Sequence, residues 1–226
     1  MSQSNLEQIA AKLESENLAD RMLALLSLEK VSAVDAAPLI KKVLRDENHQ
    51  VRSMAISILG RKPTEDSYSV LVNLLLSDPD YGVRASAAGA LGYLEDKRAL
   101  ESLVQALYED EEWLVRFSAV VSLGNLKDPR AHDALSQTLE SKEVVLQQAA
   151  ISALGEIGDL AATDDILRFA QSDDWLTRQR LAEALGNLPG EKSQSALNFL
   201  EKDPHPQVSA AASISLKRLS NRERED

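Results

Sequence analysis

Apolar residues recur four positions apart in a segment that the chain repeats along most of its length. Val51, Ala55 and Leu59 belong to the pattern V-R-x-x-A-x-x-x-L-G, which places three apolar side chains on one face of an α-helix. The closing residues of successive copies are 31, 32, 32, 31, 31 and 31 positions apart. The copies are Asp20–Glu29, Val51–Gly60, Val83–Gly92, Val115–Gly124, Leu146–Gly155, Thr177–Gly186 and Val208–Lys217. This constancy indicates an internal repeat.

A second helix-like pattern precedes each copy, so that every repeat contains two helices. It consists of leucine pairs four positions apart: Leu71 with Leu75, Leu103 with Leu107, and Leu135 with Leu139. One helical hairpin cannot bury both of its faces, whereas stacked hairpins can. The sequence therefore predicts an all-α fold, a right-handed α-solenoid of seven hairpins with a 31–32-residue period. The array covers residues 1–219, and a charged tail covers residues 220–226.

Turn-forming residues mark the ends of the predicted helices. Six residues before the arginine position, every copy carries Ser or Asp, which indicates the turn between the two helices of a hairpin. A glycine follows the last leucine of the five central copies, and we interpret it as a left-handed helix C-cap. Asp96, Asp128 and Asp159 stand four residues beyond a glycine, where each can cap the next first helix.

Composition excludes several kinds of chemistry. The 226 residues contain no Cys, which rules out disulfides, thiolate metal sites and a cysteine nucleophile. The net charge of -11 disfavours nucleic acid as the main partner, because phosphate binding needs clustered Lys and Arg. No apolar run approaches the length of a membrane span, and no secretory signal opens the chain, so we expect a cytoplasmic protein.

Histidine and glycine show no metal or phosphate motif. His49, His132 and His205 lack the spacing of metal ligands, and none is followed by Glu, so we expect solvated surface histidines and no metal site. No G-x-x-x-x-G-K-[ST] loop is present. The repeated arginine suggests either an anion site or a ladder in which each arginine bonds an acidic or carbonyl group. We favour the ladder for Arg21, Arg52, Arg84, Arg116 and Arg178.

The repeat resembles a known family. The stretch from Leu123 to Ala131, which reads L-G-N-L-K-D-P-R-A, resembles the phycobilisome-lyase class of HEAT-like repeat proteins. Two further stretches, Glu112–Ser118 and Asp174–Leu181, are most similar to the phycobilisome-degradation proteins of the non-bleaching B group. The resemblance implies phycobiliprotein subunits as partners and a role in dismantling the antenna, with chromophore removal as a proposed activity. It also implies phycocyanobilin as a noncovalent ligand, since this chain has no Cys to hold a bilin as a thioether.

Aromatic residues cluster in one column of the repeat, three residues before the arginine position. The column contains Leu18, His49, Tyr81, Trp113, Val144, Trp175 and Pro206, including both tryptophans of the chain. In the resembling class the second helices line a concave surface, which implies a partner-binding groove here. The predicted groove residues are Tyr81, Trp113, Leu114, Phe117, Gln148, Trp175, Gln179, Arg180 and Glu183.

The aromatic column leaves three interpretations open. The rings could pack as hydrophobic staples on their own helices, contact a partner helix, or contact a planar tetrapyrrole whose propionate pairs with Arg180. Three functions follow: binding of phycobiliproteins that promotes disassembly or chromophore release, a subunit of a two-chain bilin lyase with a second HEAT-like chain, or a general interaction scaffold. The catalytic residues, and whether the chain is an enzyme, stay open.

Overall fold

The computed structural model describes residues 3–222, and all regular structure within them is helical. Fourteen α-helices of this part of the chain pair into seven hairpins, and the predicted all-α solenoid class is confirmed. The first seven helices are α1 Gln3–Leu13, α2 Leu18–Leu28, α3 Ala33–Val43, α4 His49–Arg61, α5 Ser67–Ser77, α6 Tyr81–Leu94 and α7 Leu100–Glu109. The others are α8 Trp113–Asn125, α9 His132–Thr138, α10 Val144–Ile157, α11 Thr163–Leu167, α12 Trp175–Leu185, α13 Glu191–Leu200 and α14 Pro206–Arg222.

The chain divides into two compact units, one ending at Ser122 and the other beginning at Leu123. Within each unit, second helices of successive hairpins pack side by side, as α4 does on α6 and α10 on α12. Helix α14 extends to Arg222, three residues into the predicted charged tail, and residues 223–226 of that tail lie outside the described part. The extent of the array as a single domain stays a prediction.

The core consists of the apolar positions that defined the repeat. Val51, Ala55 and Leu59 are fully buried, and the equivalent residues of α6, α8 and α10 are buried in the same way. In the first helices the buried positions include Leu71, Leu103 and Leu135. Because the core is built from small aliphatic side chains, neighbouring helices pack closely, and most aromatic rings are left outside it.

The turn between the two helices of each hairpin lies at the predicted Ser or Asp position. These Ser and Asp residues are not, however, the N-caps of the second helices. Asp78 and Asp203 each accept a hydrogen bond from the amide two residues later, which closes the turn. The caps stand at that later position, where Asn48, Asp80 and Asp174 accept amides from the first turn of the second helix. Each second helix therefore begins three residues before its arginine.

The interpretation of the repeat glycines as left-handed C-caps is wrong. Gly60, Gly92, Gly124 and Gly155 lie inside their helices, and Gly186 ends α12 with an ordinary helical φ of -65°. Each glycine instead faces a small residue of the next second helix. A Cβ built on Gly155 would lie 2.6 Å from the Cα of Ala184. The glycines therefore permit close contact between second helices.

The left-handed caps lie three residues further along in three hairpins. Glu95, Lys127 and Gly158 have φ values of 52°, 48° and 75°. One residue later, Asp96, Asp128 and Asp159 cap short 3-10 turns that lead into α7, α9 and α11, rather than capping these α-helices directly. Pro129 occupies the first position after its cap, where no amide donor is lost.

Candidate functional site

Arg21, Arg52, Arg84 and Arg178 form the predicted ladder. Arg84 donates from Nε and Nη2 to both carboxylate oxygens of Asp110 at 2.7 and 3.0 Å, and from Nη1 to the carbonyl of Asp78 at 3.0 Å. Arg21, Arg52 and Arg178 repeat this arrangement with Asp46, Asp78 and Asp203. The fork of each arginine thus binds its own turn and the turn of the following hairpin. The hydrogen bonds of these guanidinium groups therefore stabilise the fold.

The ladder explains the titration behaviour of its members. The hydrogen bond to Asp110 raises the pKa of Arg84 despite partial burial. The hydrogen bond from Arg178 lowers the pKa of Asp203, and burial only partly opposes this. In the fifth hairpin Gln147 stands at the arginine position and donates to the carbonyl of Ser141 at 2.8 Å, so the contact with the turn persists without the charge.

The histidines differ from the predicted solvated residues in two of three cases. His49 is exposed, as expected. His132 is only partly exposed, and its Nδ1 contacts the carboxylate of Asp159, which raises the pKa of the imidazole. His205 stacks on Trp175, with ring centroids 4.1 Å apart and planes 14° apart. Residues 3–222 contain no group of three or more His, Asp or Glu side chains that could hold a metal ion.

The aromatic column is the set of first residues of the second helices. Leu18, His49, Tyr81, Trp113, Val144, Trp175 and Pro206 each open a helix from α2 to α14. Because a step of four residues rotates by only about 40° around a helix, this position and those four, eight and twelve residues later form one slowly winding face. The predicted groove residues lie on or beside this face, in two groups that belong to the two units.

In the N-terminal unit, Tyr81 opens α6, and Trp113, Leu114 and Phe117 lie in the first turns of α8. Trp113 is 51% exposed, and its ring lies 6.5 Å from that of Phe117, tilted by 58°. Tyr81 is 48% exposed, and Leu114 and Phe117 are half-buried. The Trp113 ring thus contacts a residue one turn later on its own helix while half of its surface faces solvent.

In the C-terminal unit, Gln148 does not join the other polar groove residues. Its amide donates to the Asp174 carboxylate at 2.7 Å and to the Thr177 hydroxyl at 3.1 Å. Burial raises the pKa of Asp174, but hydrogen bonds from Thr177 and Gln148 outweigh it and leave that pKa lowered. Gln148 therefore joins α10 to the start of α12.

Gln179, Arg180 and Glu183 line a cleft of about 540 Å³ together with residues of α10 and α14. Glu183 accepts hydrogen bonds from Gln179 at 2.8 Å and from Arg180 at 2.9 Å. Trp175 lies one turn before Gln179 on the same helix and stacks on His205 of the next hairpin. Polar and charged side chains make up most of the lining of this cleft, and its apolar part consists of Ile214 and three alanines.

Sequence reasoning missed further residues of these two surfaces. In the cleft they are Glu156 on α10, and Ile214 and Arg218 on α14. In the N-terminal unit they are Val121 on α8 and Tyr93 on α6, exposed by 39% and 69%. The four-residue spacing from the aromatic column was the available signal, since Tyr93 lies twelve residues after Tyr81 and Val121 eight after Trp113.

A family comparison accounts for nearly the whole chain. The model described as HEAT repeats matches residues 6–91, 68–149 and 133–217. The chain belongs to the HEAT-repeat family. No curated protein matches its sequence. Helices that are long and apolar enough to cross a membrane are absent from residues 3–222 of this HEAT-repeat protein.

Solved structures with this fold are distant in sequence. The CpcE–CpcF complex of phycocyanin lyase from Nostoc sp. PCC7120 aligns with a TM-score of 0.61 at 21% identity, covering 95% of this chain and 94% of that chain. The YibA protein of E. coli gives 0.61 at 17%, covering 94% and 92%. A chain of the Kap95p–RanGDP complex gives 0.65 at 15%, covering 98% of this chain but 36% of that chain. At these identities the similarity indicates a shared fold and nothing further.

Proposed function

We propose that this HEAT-repeat protein binds phycobiliprotein subunits through the exposed faces of its second helices and promotes phycobilisome disassembly or chromophore release. The observation that carries the proposal is the exposure of both tryptophans at the starts of α8 and α12. These tryptophans lie in the stretches that resemble the phycobilisome-degradation proteins of the non-bleaching B group. Exposed, rigid rings give large contact area at low entropic cost, as in protein interfaces.

The cleft of the C-terminal unit is the proposed contact for the bilin. Arg180 and Arg218 would bind the two propionates of a linear tetrapyrrole by exchanging their present partners, Glu183 and Asn187, for the carboxylates. Ile214, which is 60% exposed, and Ala210 provide apolar surface beside them. Because the chain has no Cys, phycocyanobilin would bind noncovalently.

The test mixes purified protein with phycocyanin and follows complex formation by sedimentation and chromophore state by bilin absorbance. The wild type should form a complex and shift the absorbance, whereas Trp113→Ala/Trp175→Ala should bind about tenfold or more weakly. Phe199→Ala is the matched control, because it removes a ring that is 56% exposed on a first helix. No complex with the wild type would defeat the proposal.

A second candidate is a subunit of a two-chain bilin lyase. It is favoured by the fold that the chain shares with the CpcE–CpcF complex. In this role a second HEAT-like chain would be the partner, and the cleft would present bilin to a phycobiliprotein. Co-expression with such a chain, bilin and apo-phycocyanin should yield a coloured covalent adduct. Complex formation without any adduct or absorbance change would favour a binding scaffold.

A further inference from the structure

One surface of the N-terminal unit combines exposed aromatic and apolar side chains on two adjacent helices. We name it the α6–α8 face: Tyr81, Ala85, Gly89 and Tyr93 on α6, with Trp113, Phe117 and Val121 on α8. The two helices are in direct contact beside it, since the hydroxyl of Ser122 donates to the carbonyl of Ala88 at 2.8 Å. The largest rings, Tyr81, Tyr93 and Trp113, are each about half exposed or more.

The middle of the α6 part of this face forms a shallow depression. Ala85 is small, and an added Cβ on Gly89 would have no heavy atom within 4 Å. Tyr81 and Tyr93 rise at the two ends of this segment, and α8 lines one side with Trp113, Phe117 and Val121. Apolar side chains of an incoming helix fit such a depression, because small residues let two backbones approach closely.

Carboxylates stand beside the rings at one end of the face. Asp80 precedes Tyr81, and Glu111 and Glu112 precede Trp113; both glutamates are exposed. The dipole of α8 favours negative charge at this helix start. An exposed indole beside carboxylates is a site for a Lys or Arg side chain, which gains both a cation–π contact and an ion pair.

We propose that the α6–α8 face binds an amphipathic helix of a partner protein that places a Lys or Arg over Trp113 between Glu111 and Glu112. Leucine-like side chains of that helix would lie over Gly89, between the rings of Tyr81 and Tyr93. A second copy of this chain is disfavoured as the occupant, because its net charge of -11 opposes binding at an acidic site. The inference concerns the chemistry of the partner segment and stands whether or not that segment belongs to a phycobiliprotein.

The test uses two synthetic helical peptides with the same leucine face, one flanked by Lys and the other by Glu. In a Trp175→Phe protein Trp113 is the only tryptophan, so its fluorescence reports this face alone. The Lys peptide should quench or shift that emission and bind at least about tenfold more tightly than the Glu peptide. Its affinity should fall with salt, since the glutamates are exposed.

Substitutions separate the ring from the charges. By anisotropy of a labelled Lys peptide, Trp113→Ala and Glu111→Gln/Glu112→Gln should each weaken binding several-fold, whereas Phe199→Ala should not change it. Circular dichroism of each variant excludes loss of the fold as the cause. Equal binding of both peptides, no binding of either, or a Trp113-dependent dimer in sedimentation would overturn the proposal.

Discussion

Arg178 donates two hydrogen bonds, at 2.6 and 3.0 Å, to the carboxylate of Asp203, which lies 25 residues later in the turn of the following hairpin. The same guanidinium binds the carbonyl of Ser172 in its own turn at 2.6 Å. One side chain therefore fixes the turn that precedes its helix and the turn of the following repeat. This double use explains why both the arginine and the Ser/Asp columns follow the repeat period.

The Arg178–Asp203 pair should make stability depend on acid pH. Arg178 lowers the pKa of Asp203 below its ordinary 3.8, so the stabilisation is present above that value and is lost as pH falls through the folded-state pKa. Asp203→Asn should lower the free energy of unfolding at pH 7 by about 1–3 kcal/mol in urea denaturation. The difference from wild type should vanish in strong acid.

The matched control for Asp203 is Asp164, whose ion pair with Lys192 is largely exposed. Asp164→Asn should change the free energy of unfolding by less than about 0.5 kcal/mol, because solvent screens surface pairs. Equal losses for the two substitutions would contradict a specific role for the ladder.

Gly155 and Gly89 should respond in opposite directions to the same substitution. Gly155→Ala places a Cβ against the backbone of Ala184 and should destabilise the fold by about 1–3 kcal/mol. Gly89→Ala meets open space inside α6 and should stabilise it by about 0.5–1 kcal/mol. Thermal unfolding of the two variants checks both signs, and a stabilised Gly155→Ala protein would contradict the close contact between Gly155 and Ala184.

The left-handed caps make a separate prediction. Glu95 has a φ of 52°, which is costly for a residue with a Cβ, whereas Gly158 fills the equivalent position two hairpins later. Glu95→Gly should raise the free energy of unfolding by up to about 1 kcal/mol, and Gly158→Ala should lower it by a similar amount. Changes of the same sign in both variants would show that φ does not govern these positions.

His132 should contribute stability on the acid side of neutrality. The hydrogen bond with Asp159 raises the imidazole pKa above 6.5, so the contribution is complete below that value and is lost as pH rises through the folded-state pKa. A His132→Gln variant should differ from wild type by less than about 1 kcal/mol, since the contact is partly exposed. The difference in melting temperature between the variant and the wild type should decrease as pH increases. A difference that increases with pH would contradict the contact between His132 and Asp159.

The hairpins could be predicted because the repeat pattern determines which helix faces are buried and where the turns lie. Spacing of Val51, Ala55 and Leu59 predicts a buried face, and the regular turns divide the chain into hairpins. The C-cap prediction for the repeat glycines was wrong because sequence alone does not distinguish a glycine at a helix end from a glycine at a contact between helices. The distinguishing signal was the small residue in the next repeat, as Ala184 is for Gly155.

The candidate site was predictable only in part. The aromatic column could be found from its register, and the structure places each member at a helix start. The sequence did not predict that Trp175 would stack on His205 or that Gln148 would bind Asp174, because these contacts join different repeats. Pairing across repeats depends on the offset between helices, which periodicity alone does not give.

We propose that the tryptophans at the starts of α8 and α12 contact a phycobiliprotein or its bilin. The most direct measurement titrates Trp113→Phe and Trp175→Phe proteins with phycocyanin, and separately with phycocyanobilin, following tryptophan emission and bilin absorbance together. We expect phycocyanin to quench the remaining tryptophan in both proteins, and free bilin to quench Trp175 more strongly, since Trp175 lies near the cleft. Unchanged emission and absorbance in every titration would show that neither tryptophan contacts a phycobiliprotein or its bilin.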